Sequence, residues 1–458
     1  MLTANLAAKL QSLLGATGVT APEDSPASFA VDAVSPAAII QPASAEEVAE
    51  VVRFAASEKL AIVSCGSRSK LELGTPPERY DIALDMTGLC RIAHYDAGDL
   101  TLSVDAGMPL RQLEQTLAEQ QQFLPLAVPC FETSTVGGAI ASGIDSVLRQ
   151  QYGSARDFLI GAEFVDGTGR ICKSGGRVVK NVTGYDLHKL LIGSLGTLCV
   201  ITRLNFRTFP LAHVSGGQLV SFAGVEGALA FRREVEAGGL PVSNLEVLSP
   251  GIAAILVAIL RSAKSGVPQG LEQNRWCVYA SYEGNTAVLE RISRELEKFA
   301  GETNATNCEQ LGKSTDESLG GMLREAFEWL RFASPAVLLL RLVLPEFTAD
   351  VSARLLDILK ANSVRGAFLL RARGVVYFLA QGDSEESAAL DRLEKTARGV
   401  ICLVAEKQGH ATLLHAPLAL KLRASIWPGP FEDGLMRRVK QAFDPQGLFA
   451  PGRFWGGL

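Results

Sequence analysis

Residues 39–74 write out a strand, a capped helix and a second strand that runs straight into a loop of small residues. That succession limits the chain to few folds. Ile39-Ile40 reads as a short strand stopped by Pro42. Ser44-Ala45-Glu46-Glu47 has capping-box spacing: the Ser hydroxyl meets the backbone N–H three residues on, and the Glu reaches back. Val48, Val51, Val52 and Ala55 then share one helical face up to about Lys59. Leu60 to Val63 predicts a strand, and Ser64 to Gly74 follows as a Gly/Ser-rich loop. This is the grammar of a βαβ unit.

Small residues after a strand let backbone N–H groups converge on an anion. In Ser64-Cys65-Gly66-Ser67-Arg68-Ser69-Lys70 the hydroxyls and two cations add donors, which suits a pyrophosphate. An ordinary solvated turn has the same composition, so both readings stand. The loop is neither a Gly-x-Gly-x-x-Gly fingerprint nor a Walker A motif. Gly312-Lys313-Ser314 has a Walker ending, but Asn307 stands where the first Gly is required. Two further stretches are dense in small residues. Thr133-Ser134-Thr135-Val136-Gly137-Gly138-Ala139-Ile140-Ala141-Ser142-Gly143 allows close approach of a flat ring or phosphate to the backbone, or simply tight packing. Lys180-Asn181-Val182-Thr183-Gly184-Tyr185-Asp186-Leu187 is followed by Gly193-Ser194-Leu195-Gly196-Thr197-Leu198. Turn chemistry explains Asn181, Gly184 and Gly196 one at a time, but not their density.

Further strands are expected at Ile82–Asp85, Arg91–Tyr95, Leu100–Asp105, Phe158–Val165, Arg170–Lys173 and Leu198–Thr208, with a helix after Pro109. From Leu211 the character changes. Strands at Gln218–Phe222, Trp276–Tyr282, Val337–Val343 and Val375–Ala380 alternate with helices at Val225–Ala237, Thr286–Phe299, Ser318–Phe332, Phe347–Ala361 and Ser384–Arg398. This reads as an α+β, ferredoxin-like domain. No internal repeat is visible. The 458 residues therefore divide into an N-terminal helix and lead-in (1–31), a first domain (32–210), an α+β domain (211–425) and a C-terminal segment (426–458).

Composition excludes several classes. Lys+Arg is 44 against Asp+Glu 49, a net charge of −5, which argues against a general nucleic-acid binder. Hydrophobic content of 47% excludes a mostly disordered chain. The longest apolar run, Ile252 to Leu260, is too short to span a bilayer, which takes about 20 residues. Leu2, Leu6, Leu10, Leu13 and Leu14 give residues 1–14 helical spacing, without the basic start of a secretory signal. Eight scattered cysteines without a Cys-x-x-Cys pair point to buried thiols in a reducing, cytoplasmic setting. They do not form an iron–sulfur ligand run. The five histidines show no metal-ligand spacing, so no metal site and no catalytic base are assigned.

Taken in order, the phosphate loop, Thr-Val-Gly-Gly-Ala-Ile-Ala, Tyr152-Gly153-Ser154-Ala155-Arg156-Asp157, Lys-Asn-Val-Thr-Gly-Tyr-Asp-Leu and Gly-Ser-Leu-Gly-Thr-Leu resemble the flavin-binding domain of the vanillyl-alcohol-oxidase/PCMH class. Lys180 to Leu187 and the ending Phe443-Asp444-Pro445-Gln446-Gly447-Leu448-Phe449-Ala450-Pro451-Gly452-Arg453 look like the FAD-binding subunits of multi-subunit bacterial glycolate oxidases. The resemblance covers about Ser35 to Pro210 and the last thirty residues. It implies a two-subdomain PCMH-type FAD domain, an inserted α+β cap and a C-terminal return to the FAD domain.

By the same resemblance, Cys65, Gly66, Ser67, Arg68, Ser69, Lys70 and Leu71 would hold the pyrophosphate of a noncovalent FAD. Pro129, Ser134, Gly137, Gly138, Ala141, Ser142 and Gly143 would line the pyrophosphate and flavin. The backbone near Val200 would meet the adenosine or ring end. Arg68 stands where relatives commonly have Gly, and a positive φ there would strain it by about 1–2 kcal/mol. Ala450 stands where the family ending usually has Asn. The loop holds no His for histidyl attachment, and Cys130 is poorly spaced for a thioether.

The resemblance further implies a paralogous FAD-containing catalytic subunit and an iron–sulfur subunit as partners, with peripheral membrane association through them. The substrate would be a small 2-hydroxy acid, glycolate or lactate. The His-x-Gly-Asp-Gly-Asn motif of the catalytic subunit is absent here. Three readings stay open: an FAD subunit of a glycolate dehydrogenase complex, a structural subunit that kept the fold, and a stand-alone flavin oxidase.

Overall fold

The computed structural model describes residues 19–20, 26–177, 184–272, 274–372, 374–423, 433–454 and 457. The expected helix at 1–14 and the stretch Lys180–Thr183 lie outside the described residues. The chain forms two compact units, one of Met1–Asp145, Ser154–Leu211 and Gly429–Leu458, the other of Ser146–Gly153 and Ala212–Pro428. The PCMH-type fold expected from the motifs is present. Among the described residues no helix is long and apolar enough to cross a membrane.

In the first unit Ser44 caps the helix Ala45–Glu58, its Oγ accepting from Glu47 N at 3.1 Å. The Glu47 carboxylate reaches back one residue further than the simple box, accepting from Ala43 N at 2.8 Å. The helix ends at Lys59 with φ 57, and Leu60 N closes the end by donating to Ala55 O at 2.9 Å. Leu60 is thereby spent on the cap. The strand begins at Ile62, later than apolarity alone suggests, and runs to Cys65. It pairs in parallel with Ile82–Asp85, which pairs in parallel with Ala38–Ile40. Val48, Val51, Val52 and Ala55 pack this crossover onto Ile62, Ile82 and Leu84.

A five-stranded antiparallel sheet follows, in the spatial order Ile92–Asp96, Thr101–Asp105, Val200–Arg207, Leu159–Val165, Ile171–Gly175. Its turns use the expected side chains: Asp96 Oδ1 accepts from Gly98 N and Asp99 N, each at 3.0 Å.

The C-terminal segment returns to this unit. Phe443, at the end of helix Asp433–Phe443, meets Phe164 with ring centroids 5.8 Å apart. Lys440 Nζ donates to Asp444 Oδ2 (2.7 Å), Thr197 O (2.6 Å) and Phe449 O (2.9 Å). The buried Asp444 carboxylate accepts from Leu448 N and Phe449 N. Phe449 then lies beside Ile62 as an added parallel rung: Ile62 N donates to Leu448 O, and Ala450 N donates to Ile62 O, both at 2.8 Å. Asp444→Ala removes three partners at once and should lower the stability of this unit by about 3 kcal/mol, read from its thermal or denaturant transition.

The second unit is one eight-stranded antiparallel sheet. Its spatial order is Asn307–Leu311, Val214–Phe222, Trp276–Gly284, Val242–Leu248, Arg365–Arg371, Val375–Gly382, Ala336–Val343, His410–His415. In chain order these are two ferredoxin-like halves side by side, an architectural repeat. The expected helix over Ser318–Phe332 is broken at Glu325 into Lys313–Arg324 and Ala326–Leu330. Four strands (Val242–Leu248, Asn307–Leu311, Arg365–Arg371, His410–His415) and the helix Pro250–Ser262 were not expected from sequence.

The missed strands carry polar residues into the core. Glu246 and Arg371, fully buried, pair at 2.7 Å. Tyr279 donates its hydroxyl to Asp316 Oδ1 at 2.7 Å. Burial raises Asp316 above the ordinary aspartate range, with the Tyr279 hydrogen bond pulling the other way. Unfolded, the group titrates near pH ~3.9. Below that value both states are protonated and Asp316 costs nothing. As pH rises through the folded value, ionising it in place destabilises the unit. Asp316→Asn, which still accepts from Tyr279, should therefore gain stability over wild type as pH rises above about 4, measured as the difference in Tm between the two proteins across a pH series.

Candidate cofactor-binding site

Strand Ile62–Cys65 delivers the loop Gly66–Lys70 to the wall of a half-open cleft. The loop turns on itself, Leu71 N donating to Arg68 O (3.3 Å) and Leu73 N to Lys70 O (3.2 Å). The Arg68 and Lys70 carbonyls are thus occupied, while the backbone N–H groups of Ser67, Arg68 and Ser69 donate to no described residue. Consecutive open N–H groups at a turn are an anion-binding arrangement. Lys70 Nζ lies on Ser134 Oγ and 3.4 Å from Ser69 Oγ.

Gly66 is required by contact. A Cβ there would fall 2.1 Å from Thr135 Oγ1, so only glycine lets the loop lie against Thr135. Thr135 caps the helix Val136–Ser142. That helix spends its own first donors inside the unit: Val136 N goes to Met108 O, Gly137 N to Ala106 O and Gly138 N to Thr135 Oγ1. Anion donors therefore come from the loop. The helix end contributes Gly138 as a surface without side chain.

Leu195 and Gly196 of the third motif also line the cleft. Gly193 N donates to Ile140 O and Leu195 N to Ala141 O, at 2.9 and 2.8 Å. Gly143, at φ 62, lies so near Gly193 that a Cβ would meet its Cα at 2.7 Å. The loop 64–70, the stretch 133–143 and, from the third motif, Leu195 and Gly196 thus meet at one cleft.

Cys65 to Leu71, Gly137, Gly138, Ala141 and Ser142 line it. Pro129, Ser134, Gly143 and Val200 do not. Pro129 and the buried Ser134 stand behind the wall, Ser134 Oγ donating to Pro129 O (3.3 Å) while holding Lys70. Val200 is fully buried in the core, and its neighbours Cys199 and Ile201 face the cleft instead. Sequence reading missed Arg453, whose distance in the chain gave no signal.

Arg68 adopts φ 67. Its guanidinium lies 4.3 Å over the Phe29 ring and 3.9 Å from Asp85 Oδ2. A cation–π contact of about 0.5–1 kcal/mol or more offsets much of the strain. Ala450 is likewise left-handed, at φ 42. Burial, then Asp85, pushes the Cys65 thiol far up, so it stays protonated and donates to Leu84 O at 3.7 Å. Cys130 Sγ donates to Ser69 O at 3.8 Å, behind the loop.

A nest of donors with no acceptor among the described residues, a lysine and a side-chain-free wall fit a dinucleotide cofactor's pyrophosphate. Residues 36–175 match the model of the FAD binding domain, and 429–454 that of the C-terminal domain of FAD linked oxidases. The chain is by these matches an FAD-linked oxidoreductase with FAD as its cofactor. It is 37% identical over 167 residues to glycolate oxidase subunit GlcE of Escherichia coli, a match covering 36% of this chain and 47% of that one. It is 24% identical over 433 residues to glycolate oxidase subunit GlcD of Bacillus subtilis (92% and 89% covered). To a D-lactate dehydrogenase of Archaeoglobus fulgidus it is 25% identical over 426 residues (91% and 90%). Among solved structures, p-cresol methylhydroxylase shares the fold at a TM-score of 0.77 and 17% identity, covering 99% of this chain and 97% of that one.

The double variant Ser69→Ala, Lys70→Ala should weaken FAD binding at least tenfold, from loss of one charge-assisted hydrogen bond worth about 1.5–3 kcal/mol. Quenching of flavin fluorescence on titration into the apoprotein measures it.

Proposed function

We propose that this chain is the FAD-binding subunit of a glycolate, or more broadly 2-hydroxy acid, dehydrogenase complex. The observation that carries the reading is the open run of N–H groups at Ser67–Ser69. It lies in the segment 36–175 that matches the FAD binding domain, and the chain is 37% identical over 167 residues to a glycolate oxidase subunit. In this reading Ser67, Arg68 and Ser69 receive the pyrophosphate on their backbone donors, and Lys70, steadied by Ser134, adds charge. Gly138, Ala141 and Ser142 leave room for the rest of the cofactor, held without a covalent bond. Bound FAD supplies two-electron acceptance from a C–H beside a hydroxyl.

The partners proposed are a paralogous FAD-containing subunit and an iron–sulfur subunit. They would complete the route for electrons and carry the assembly to the inner face of the membrane from the cytoplasm. Residues 32–210 and 426–458 form the FAD domain and 211–425 the cap in this reading. The structural-subunit alternative rested on Arg68. Its guanidinium is engaged by Phe29 and Asp85, and the loop's donors stay open, which favours retention of FAD.

The test is an absorption spectrum of the purified chain before and after acid precipitation, with glycolate added to a parallel sample. A flavin spectrum with free flavin released on precipitation is expected. Bleaching by glycolate would place substrate oxidation on this chain. A stable, unbleached flavin would assign it electron relay within the complex. A colourless protein that FAD does not reconstitute would overturn the proposal.

A further inference from the structure

The run 448–453 approaches the loop from behind, within the same unit. Glu78 N donates to Pro451 O (2.9 Å), Thr75 N donates to Arg453 O (3.1 Å), and Thr75 Oγ1 bonds Gly452 O. Arg453 ends this run almost wholly buried, at 3% exposure. Its Nη2 donates to Leu71 O at 2.8 Å and also to Leu73 O.

Those two carbonyls are informative. Leu71 N bonds Arg68 O, and Leu73 N bonds Lys70 O. Arg453 thus grips the two residues whose own N–H groups close the turns of the phosphate loop. The hydrogen bonds run from the guanidinium through Leu71 and Leu73 to Arg68 and Lys70. The same turns leave the N–H groups of Ser67, Arg68 and Ser69 without an acceptor among the described residues. Nothing apolar could substitute, because two peptide carbonyls would lose their donor.

Arg453 carries a second observation. Its Nε and Nη1 are buried and meet no hydrogen-bond partner among the described residues, and the residue lines the cleft. Burial lowers its pKa to about 10, against the pull of Asp32 and Tyr80, so it remains charged at neutral pH. A desolvated cation is weakly screened, and its potential reaches an anion in the cleft.

We propose that Arg453 is a positioning residue for the cofactor: by pinning Leu71 and Leu73 it sets the phosphate loop in its anion-binding shape, and its buried charge favours the anion. This rests on the reading of the cleft as an FAD site. It makes the C-terminal segment part of the cofactor site rather than a remote support.

The experiment titrates FAD, and separately ADP, into full-length apoprotein of wild type, Arg453→Lys and Arg453→Met. Dissociation constants are read by flavin fluorescence and calorimetry, and circular dichroism confirms that each variant is folded at the working temperature. The main-chain bonds of 448–453 survive either substitution. Arg453→Met should bind FAD and ADP at least tenfold more weakly, with Arg453→Lys in between, since an ammonium keeps the charge and one carbonyl. ADP lacks the flavin ring, so a matching loss places the effect at the pyrophosphate. Folded Arg453→Met with both constants within twofold of wild type would overturn the proposal. If Arg453→Met does not fold, Arg453→Lys decides: threefold or more weaker binding of both ligands supports the role, and less overturns it. Wild type that binds neither ligand would instead sink the FAD reading itself.

Discussion

Backbone donors hold an anion only if they are withheld from the rest of the fold and yet kept still. Ser67, Arg68 and Ser69 meet both conditions. They sit just past the end of a parallel strand, where the ladder no longer claims their N–H groups. The Arg68 and Ser69 carbonyls accept from Leu71 N and Cys130 Sγ, Gly66 lies against Thr135, and the C-terminal segment backs the loop. A loop without these ties would spend its donors on water or on its own carbonyls, and would lose ordering entropy on binding.

That constraint accounts for much of the first unit. The βαβ crossover places the strand, and the C-terminal residues add a rung beside Ile62. Thr135 serves both the helix it caps and the loop it touches. Even Arg68 fits: a residue held at positive φ is tolerated because Phe29 and Asp85 hold its side chain.

Much of this was legible in the residues. The helix at 45–58, the strand at 82–85 and the Asp-based turns follow from local chemistry that needs no partner. The three small-residue motifs flagged the site, although which members face the cleft depended on packing. Ser134 and Val200 are turned inward by contacts that spacing does not encode. Arg453 was beyond sequence reasoning, because its partners are some 380 residues away. In the second unit Val242–Leu248 and Arg365–Arg371 were hidden for a different reason. Asn244, Glu246 and Arg371 occupy positions where a buried strand is expected to be apolar.

Those polar residues mark the seam of the eight-stranded sheet. Within each half, neighbouring strands share long ladders, as in the nine residue pairs between Val214–Phe222 and Trp276–Gly284. Between the halves the described residues form two pairs, Val247 with Leu370 and Leu248 with Leu369. A ladder that short cannot by itself choose its register. The buried ion pair of Glu246 with Arg371 spans the same two strands, and such a pair contributes little net stability while penalising every misalignment that separates its charges. The two halves are therefore keyed to one another by charge. A sheet built this way parts first at its middle when pulled along the direction of its hydrogen bonds, and returns to a single alignment when the load is released.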